Sequence, residues 1–175
     1  MTGRPFFVGE RMGISKQTVR GLVAGLIVAT GLSACAKDPE VTSDGAPLAR
    51  QITASGQCGF AGQGVVYMDS RERLESVSEA RGMPLSLPEN HDFGREHLLL
   101  VAAGRKPTGG YGVVLEDSRL NDGELRISVE VRSPSPDQMV TQALTSPCAL
   151  LAVTADGWSR VRVSGPGFDE LSVSR

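Results

Sequence analysis

Nine residues, 124–132, constrain the fold of this chain more than any others. In ELRISVEVR, Leu125, Ile127, Val129 and Val131 alternate without a break with Arg126, Ser128, Glu130 and Arg132. Successive side chains of an extended strand point to opposite faces, so the pattern describes a strand with one buried and one wet face. Such strands belong to antiparallel sheets, which can leave one face in water. Asn121-Asp122-Gly123 precedes the strand, and Pro134 and Pro136 stop it. Asp-Gly favours a tight hairpin, which makes residues 111–120 the predicted partner strand. Further strands are predicted at the apolar runs 64–68 (GVVYM), 97–103 (HLLLVAA) and 149–153, and at 160–164 around Val161 and Val163, after a second turn signal at Asp156-Gly157. Residues 51–57, QITASGQ, are a weaker strand candidate, and 138–145, QMVTQALT, fits a short helix or a strand. One helix is predicted early. Asp69 and Glu72 have the spacing of a capping box, Leu74 and Val77 share a face, and Gly82 with Pro84 ends it. Trp158 and Phe168 are assigned to the edges of the core. The expected class is therefore α+β and β-rich: a mainly antiparallel, sandwich-like domain with one short helix inserted early.

The first residues belong to a different physical regime. Arg4, Arg11, Lys16 and Arg20 stand against one acid, Glu10, and are followed by twelve uncharged residues, GLVAGLIVATGL, at 21–32. That is the layout of a secretory signal, and the apolar run is too short for a spanning helix of about 20 residues. Leu32-Ser33-Ala34-Cys35 then resembles the lipobox of bacterial lipoproteins, an apolar residue and two small ones before the Cys that becomes the lipidated first residue. The expectation is a lipoprotein signal at 1–34, starting at Met1 or Met12, with palmitate and further acyl chains on Cys35 that together hold the chain on a membrane. Residues 37–49, KDPEVTSDGAPLA, are rich in Pro, Asp, Ser and Gly and read as a disordered tether. The tether is placed at 35–50 and a single domain at 51–175. Ala36, where Asp would signal retention, resembles outer-membrane sorting. The expected location is thus the cell envelope, lipid-anchored at the outer membrane and facing the periplasm or the surface.

The chain has 18 Lys and Arg against 20 Asp and Glu, and four of those cations lie in the leader. A domain without clustered cations is poorly equipped for nucleic acid, and none is expected as a partner. With Cys35 assigned to lipid, Cys58 and Cys148 remain. An even pair in an exported chain suggests a disulfide, with two buried free thiols as the alternative.

Searches for chemistry return little. No H-E-x-x-H and no G-x-S-x-G is present. The glycines of residues 59–64, GFAGQG, lack dinucleotide-fingerprint spacing and read as a strand connection. His91, among the turn residues of PENHDFG, is expected at the surface, and His97 at the opening of its strand. Neither has metal-ligand spacing with the cysteines. No catalytic residue, metal or cofactor is assigned, and the chain is not read as an enzyme.

One segment remains, GRKPTGGYGV at 104–113. Pro107 fixes its own φ and holds Lys106 extended. Gly109 and Gly110 permit positive φ and close backbone approach. Tyr111 joins a large apolar surface to a hydroxyl, and Thr108 can bond locally or to a partner. Such a loop serves recognition, or serves as a tight connection with Tyr111 folded into the core; its residues support each reading equally.

Asp92-Phe93, Gly104 with Pro107-Thr108-Gly109-Gly110-Tyr111, Val131 to Pro134, and Thr145-Ser146-Pro147 together resemble the C-terminal domain of the PrcB family over about 92–153. PrcB-like proteins are bacterial lipoproteins named for a subunit of a surface protease complex that contains a subtilisin-like protease. The resemblance implies a non-catalytic, protein-binding accessory or assembly module whose partner is another protein, with a protease as the implied candidate. Lys106, Pro107, Thr108, Gly109, Gly110 and Tyr111 are the expected binding loop. The same loop is also similar to the Asn-Pro-Thr-Thr-Gly-Tyr loop of chagasin-like cysteine-peptidase inhibitors. It differs at Lys106 and Gly109, and the later Arg-Pro-Trp of that family is absent. This similarity implies the alternative function, a protease inhibitor presenting the loop.

Overall fold

The computed structural model describes residues 46–175; the expected signal, Cys35 and the tether as far as residue 45 lie outside them. The elements run β1 (Ala49–Ser55), β2 (Gln63–Met68), α1 (Arg71–Arg81), β3 (Glu96–Ala103), β4 (Gly112–Asn121), β5 (Glu124–Arg132), β6 (Cys148–Thr154), β7 (Arg160–Gly165) and β8 (Phe168–Ser174). They form two four-stranded sheets, ordered β1-β6-β3-β2 and β4-β5-β7-β8. The β-rich, sandwich-like class read from the sequence is the class of the structure.

The sheets pack face to face. Leu99 and Val101 of β3 and Leu151 and Val153 of β6 meet Leu125, Ile127 and Val129 of β5 and Val161 and Val163 of β7. Burying each such aliphatic side chain contributes roughly 1.5–3 kcal/mol. A second core lies on the far face of the first sheet. There Leu98, Leu100, Leu150 and Ala152 are covered by Leu74 and Val77 of α1, by Met83 and by Phe60. The unbroken apolar runs of β3 and β6 follow from this, since each strand is buried on both faces.

Helix α1 starts one residue later than the capping-box spacing suggests. Its N-cap is Ser70, whose Oγ accepts from the Arg73 amide, while Gly82 closes it at φ 61° and donates to the Glu79 carbonyl. Asp122 and Gly123 both take positive φ, 49° and 75°, as a tight β4–β5 hairpin requires. Leu48 is buried, and β1 begins at Ala49.

Four features depart from the sequence reading. Strand β8 is an additional strand. Trp158 and Phe168 belong to the central core, not its edges. Residues 138–145 form neither helix nor strand of any length. Strands β5 and β7 are parallel, because the chain leaves the second sheet to build β6 in the first and returns in its original direction.

Candidate functional site

The loop end of the sandwich is built from two strand-free segments, residues 104–111 and 133–147. Gly104 has φ 71°, and a Cβ there would stand 2.7 Å from the Gly62 carbonyl carbon, so glycine is needed where the chain crosses the start of β2. Lys106 and Thr145 then exchange backbone bonds: each amide donates to the other's carbonyl, at 2.9 and 3.0 Å. The Thr145 hydroxyl donates to the Thr108 carbonyl at 2.7 Å. The Gly109 amide donates to the Thr141 carbonyl at 2.8 Å. Gly110, at φ 82°, presses against the second segment, where a Cβ would lie 2.8 Å from both Pro134 Cβ and Val140 Cγ1. Of the two glycines that permit positive φ, Gly110 adopts it and Gly109 does not.

These bonds settle the geometry of Tyr111. The ring is half-buried, and the Lys106 ammonium stands 5.8 Å from its centroid. The loop is therefore a braced edge, fastened along its length, and Tyr111 neither stands clear of the domain nor folds into the core.

What the loop braces is more exposed than the loop itself. Met139 is 98 % and Leu144 68 % exposed, the large apolar side chains left in solvent among the described residues. Arg105 and Pro107 of the loop are exposed as well. Sequence reasoning missed Met139 and Leu144 because they fit no strand or helix period. The available signal was length: connections without secondary structure beyond about 12–15 residues are uncommon in compact domains and are usually functional.

Cys58 and Cys148 are joined by a disulfide, with their Cα atoms 6.0 Å apart. Ser146 ties this bridge to the loop end. Its amide donates to the Gly56 carbonyl and its carbonyl accepts from the Cys58 amide, each at 2.8 Å. Its hydroxyl accepts from the Phe60 amide and donates to the Phe60 carbonyl. Thr145 and Ser146 thus hold residues 106–108 on one side and 56–60 on the other.

The histidines lie elsewhere. The side chain of His91 is only 1 % exposed, contrary to the surface position expected of it. Its ring packs edge-on to Phe93 at 4.6 Å, and Nε2 lies 3.1 Å from the Glu96 carbonyl. His97 is buried with Nδ1 2.7 Å from the Tyr67 hydroxyl. Burial lowers the pKa of His97, assisted by the nearby Arg175 charge, and raises that of Tyr67. A neutral imidazole accepting from the phenol is compatible with both directions. Among the described residues no group of three or more His, Cys, Asp or Glu is placed to hold a metal ion.

Residues 98–154 match the family model of the PrcB C-terminal domain. The matched segment starts in β3 and ends with β6. It therefore contains the whole loop 104–111, the β4–β5 hairpin and the segment that carries Met139, Leu144 and Thr145. No curated protein and no solved structure matches the chain.

Proposed function

We propose that this chain is a non-catalytic accessory subunit of a cell-envelope protease complex, held on the membrane by lipid on Cys35 and binding its partner at the loop end of the sandwich. The observation that carries the reading is the pairing of Met139 and Leu144, fully and largely exposed, with the braced Lys106–Tyr111 loop inside the PrcB C-terminal match. Exposed apolar side chains on a rigid backbone are costly to keep in water and inexpensive to order in a complex. The leader and the Leu32-Ser33-Ala34-Cys35 sequence support the anchor, and the tether would let the domain reach a partner above the membrane. The half-buried Tyr111 and the hydrogen bonds along the loop favour a docking edge over an inhibitor's inserted plug.

The test is capture from native envelope membranes by the full chain, beside Met139→Glu, Leu144→Glu and Tyr111→Ala variants. The expected result is a complex with a protease component on the wild type, lost with the two Glu variants while their unfolding midpoints are unchanged. Capture that survives both Glu substitutions would remove the loop end as the binding surface. Reproducible capture of a complex without a protease would overturn the assignment of partner. A separate check of the anchor is metabolic labelling with palmitate, expected on wild type and absent from Cys35→Ala.

A further inference from the structure

A two-sheet sandwich has four edge strands, and unpaired edges are templates for pairing with another chain. Here the edges meet in pairs, β1 beside β4 and β2 beside β8, and one glutamine spans each junction. From β1, Gln51 Oε1 accepts from the Leu115 amide at 2.9 Å and Nε2 donates to the Val113 carbonyl at 3.4 Å. From β2, Gln63 Oε1 accepts from the Asp169 amide at 2.7 Å and Nε2 donates to the Gly167 carbonyl at 3.1 Å. The two arrangements share one pattern. A side-chain amide takes the carbonyl of residue i and the N–H of residue i+2, the pair that the N–H and C=O of one residue on a neighbouring parallel strand would engage.

We propose that Gln51 and Gln63 are edge clasps, each standing in for a missing strand, and that the Gln63 clasp keeps β8 from accepting the β8 strand of a second copy of this chain. Glutamine suits the role because it offers a donor and an acceptor on one planar group. A carboxylate in its place would keep the acceptor and turn its other oxygen toward a carbonyl. Strand β4 has a second safeguard, a bulge between Leu115 and Asp117. Strand β8, FDELSVS, has no proline and no lysine to blunt its edge. It is also self-complementary. Antiparallel pairing of two copies centred on Leu171 sets Asp169 opposite Val173 and Glu170 opposite Ser172, so no like charges face each other.

The experiment uses the full chain with Gln63→Leu and Gln63→Glu substitutions. It reads amide exchange at Asp169 together with molecular mass by sedimentation in density-matched detergent. Gln63→Leu is expected to speed exchange of the Asp169 amide about fivefold, the scale of one lost hydrogen bond, and to give a dimer that grows with concentration. Gln63→Glu is expected to lose protection at neutral pH and regain it in acid, where a protonated carboxyl again offers a donor. That pH response separates a clasp from simple packing, and it decides the matter if the Leu variant does not fold. Unchanged exchange at Asp169, faster exchange in a chain that stays monomeric at every concentration, or a Glu variant whose protection ignores pH would each overturn the proposal.

Discussion

In the first sheet, β3 and β6 turn Leu99, Val101, Leu151 and Val153 toward the sandwich core and Leu98, Leu100 and Leu150 toward the layer of α1 and its following loop. In the second sheet, β5 turns Leu125, Ile127 and Val129 to the same core but Arg126, Ser128 and Glu130 away from it. The outer face of the second sheet carries ion pairs instead of a second core: Arg162 with Glu124 and Glu170, Arg126 with Glu124, and Arg132 with Glu116 and Glu130. Two sheets of equal strand number thus depend on their outward faces to different degrees. Outward residues of the first sheet are part of the interior, whereas those of the second keep the surface soluble and add little to stability.

The comparison is most directly broken at Leu150. Truncation to Ala should cost about 2–5 kcal/mol, as for other buried leucines, read from the chemical denaturation midpoint. A loss no larger than that of a surface substitution would mean that the α1 layer does not cover this face. Next in size is the disulfide, which ties β6 to the chain just beyond β1. Replacing Cys58 and Cys148 together by Ser should lower stability by about 2–4 kcal/mol, with the fold retained in far-ultraviolet dichroism.

Acid should sharpen the contrast, because the buried histidine at the Tyr67 contact belongs to the first sheet. The His97 pKa in the folded chain lies below its ordinary value of 6.5, so the unfolded chain binds the proton more readily. The contribution is fully present above pH 6.5 and is lost as pH falls through the folded value. Thermal midpoints measured down that range should fall, and His97→Gln should flatten the slope. The smallest effect is expected on the wet face. Arg126→Ala should leave the denaturation midpoint within measurement error, and a clear loss there would show that the ion-pair lattice supports the second sheet.

How much was legible follows from where each segment finds its partners. Strand β5 and its hairpin were plain because their information is local: a period of two, then Asp-Gly. Strand β8 was not, since Phe168 and Leu171 stand three apart and break that period. The parallel β5–β7 pairing depends on where β6 goes, which no window of sequence contains. His91 sits among polar turn residues, yet Phe93 and Glu96 enclose it only once β3 is in place. At the loop end, Pro107 to Tyr111 stood out by composition. Met139 and Leu144 did not, because an apolar residue in an irregular segment has no pattern by which to declare that it faces water. Gln51 and Gln63 were equally silent, as their partners lie 62 to 106 residues away.

The Cys58–Cys148 bond has a topological consequence. It closes a covalent ring that contains β2, α1, β3, β4 and β5, and the solvent-facing stretch around Met139 lies on the ring, not on a tail. A single peptide-bond cut there opens the ring without separating it. Both halves stay in one molecule, and the break appears as two bands only after reduction. One cut in this exposed segment thus releases no fragment while the disulfide stands.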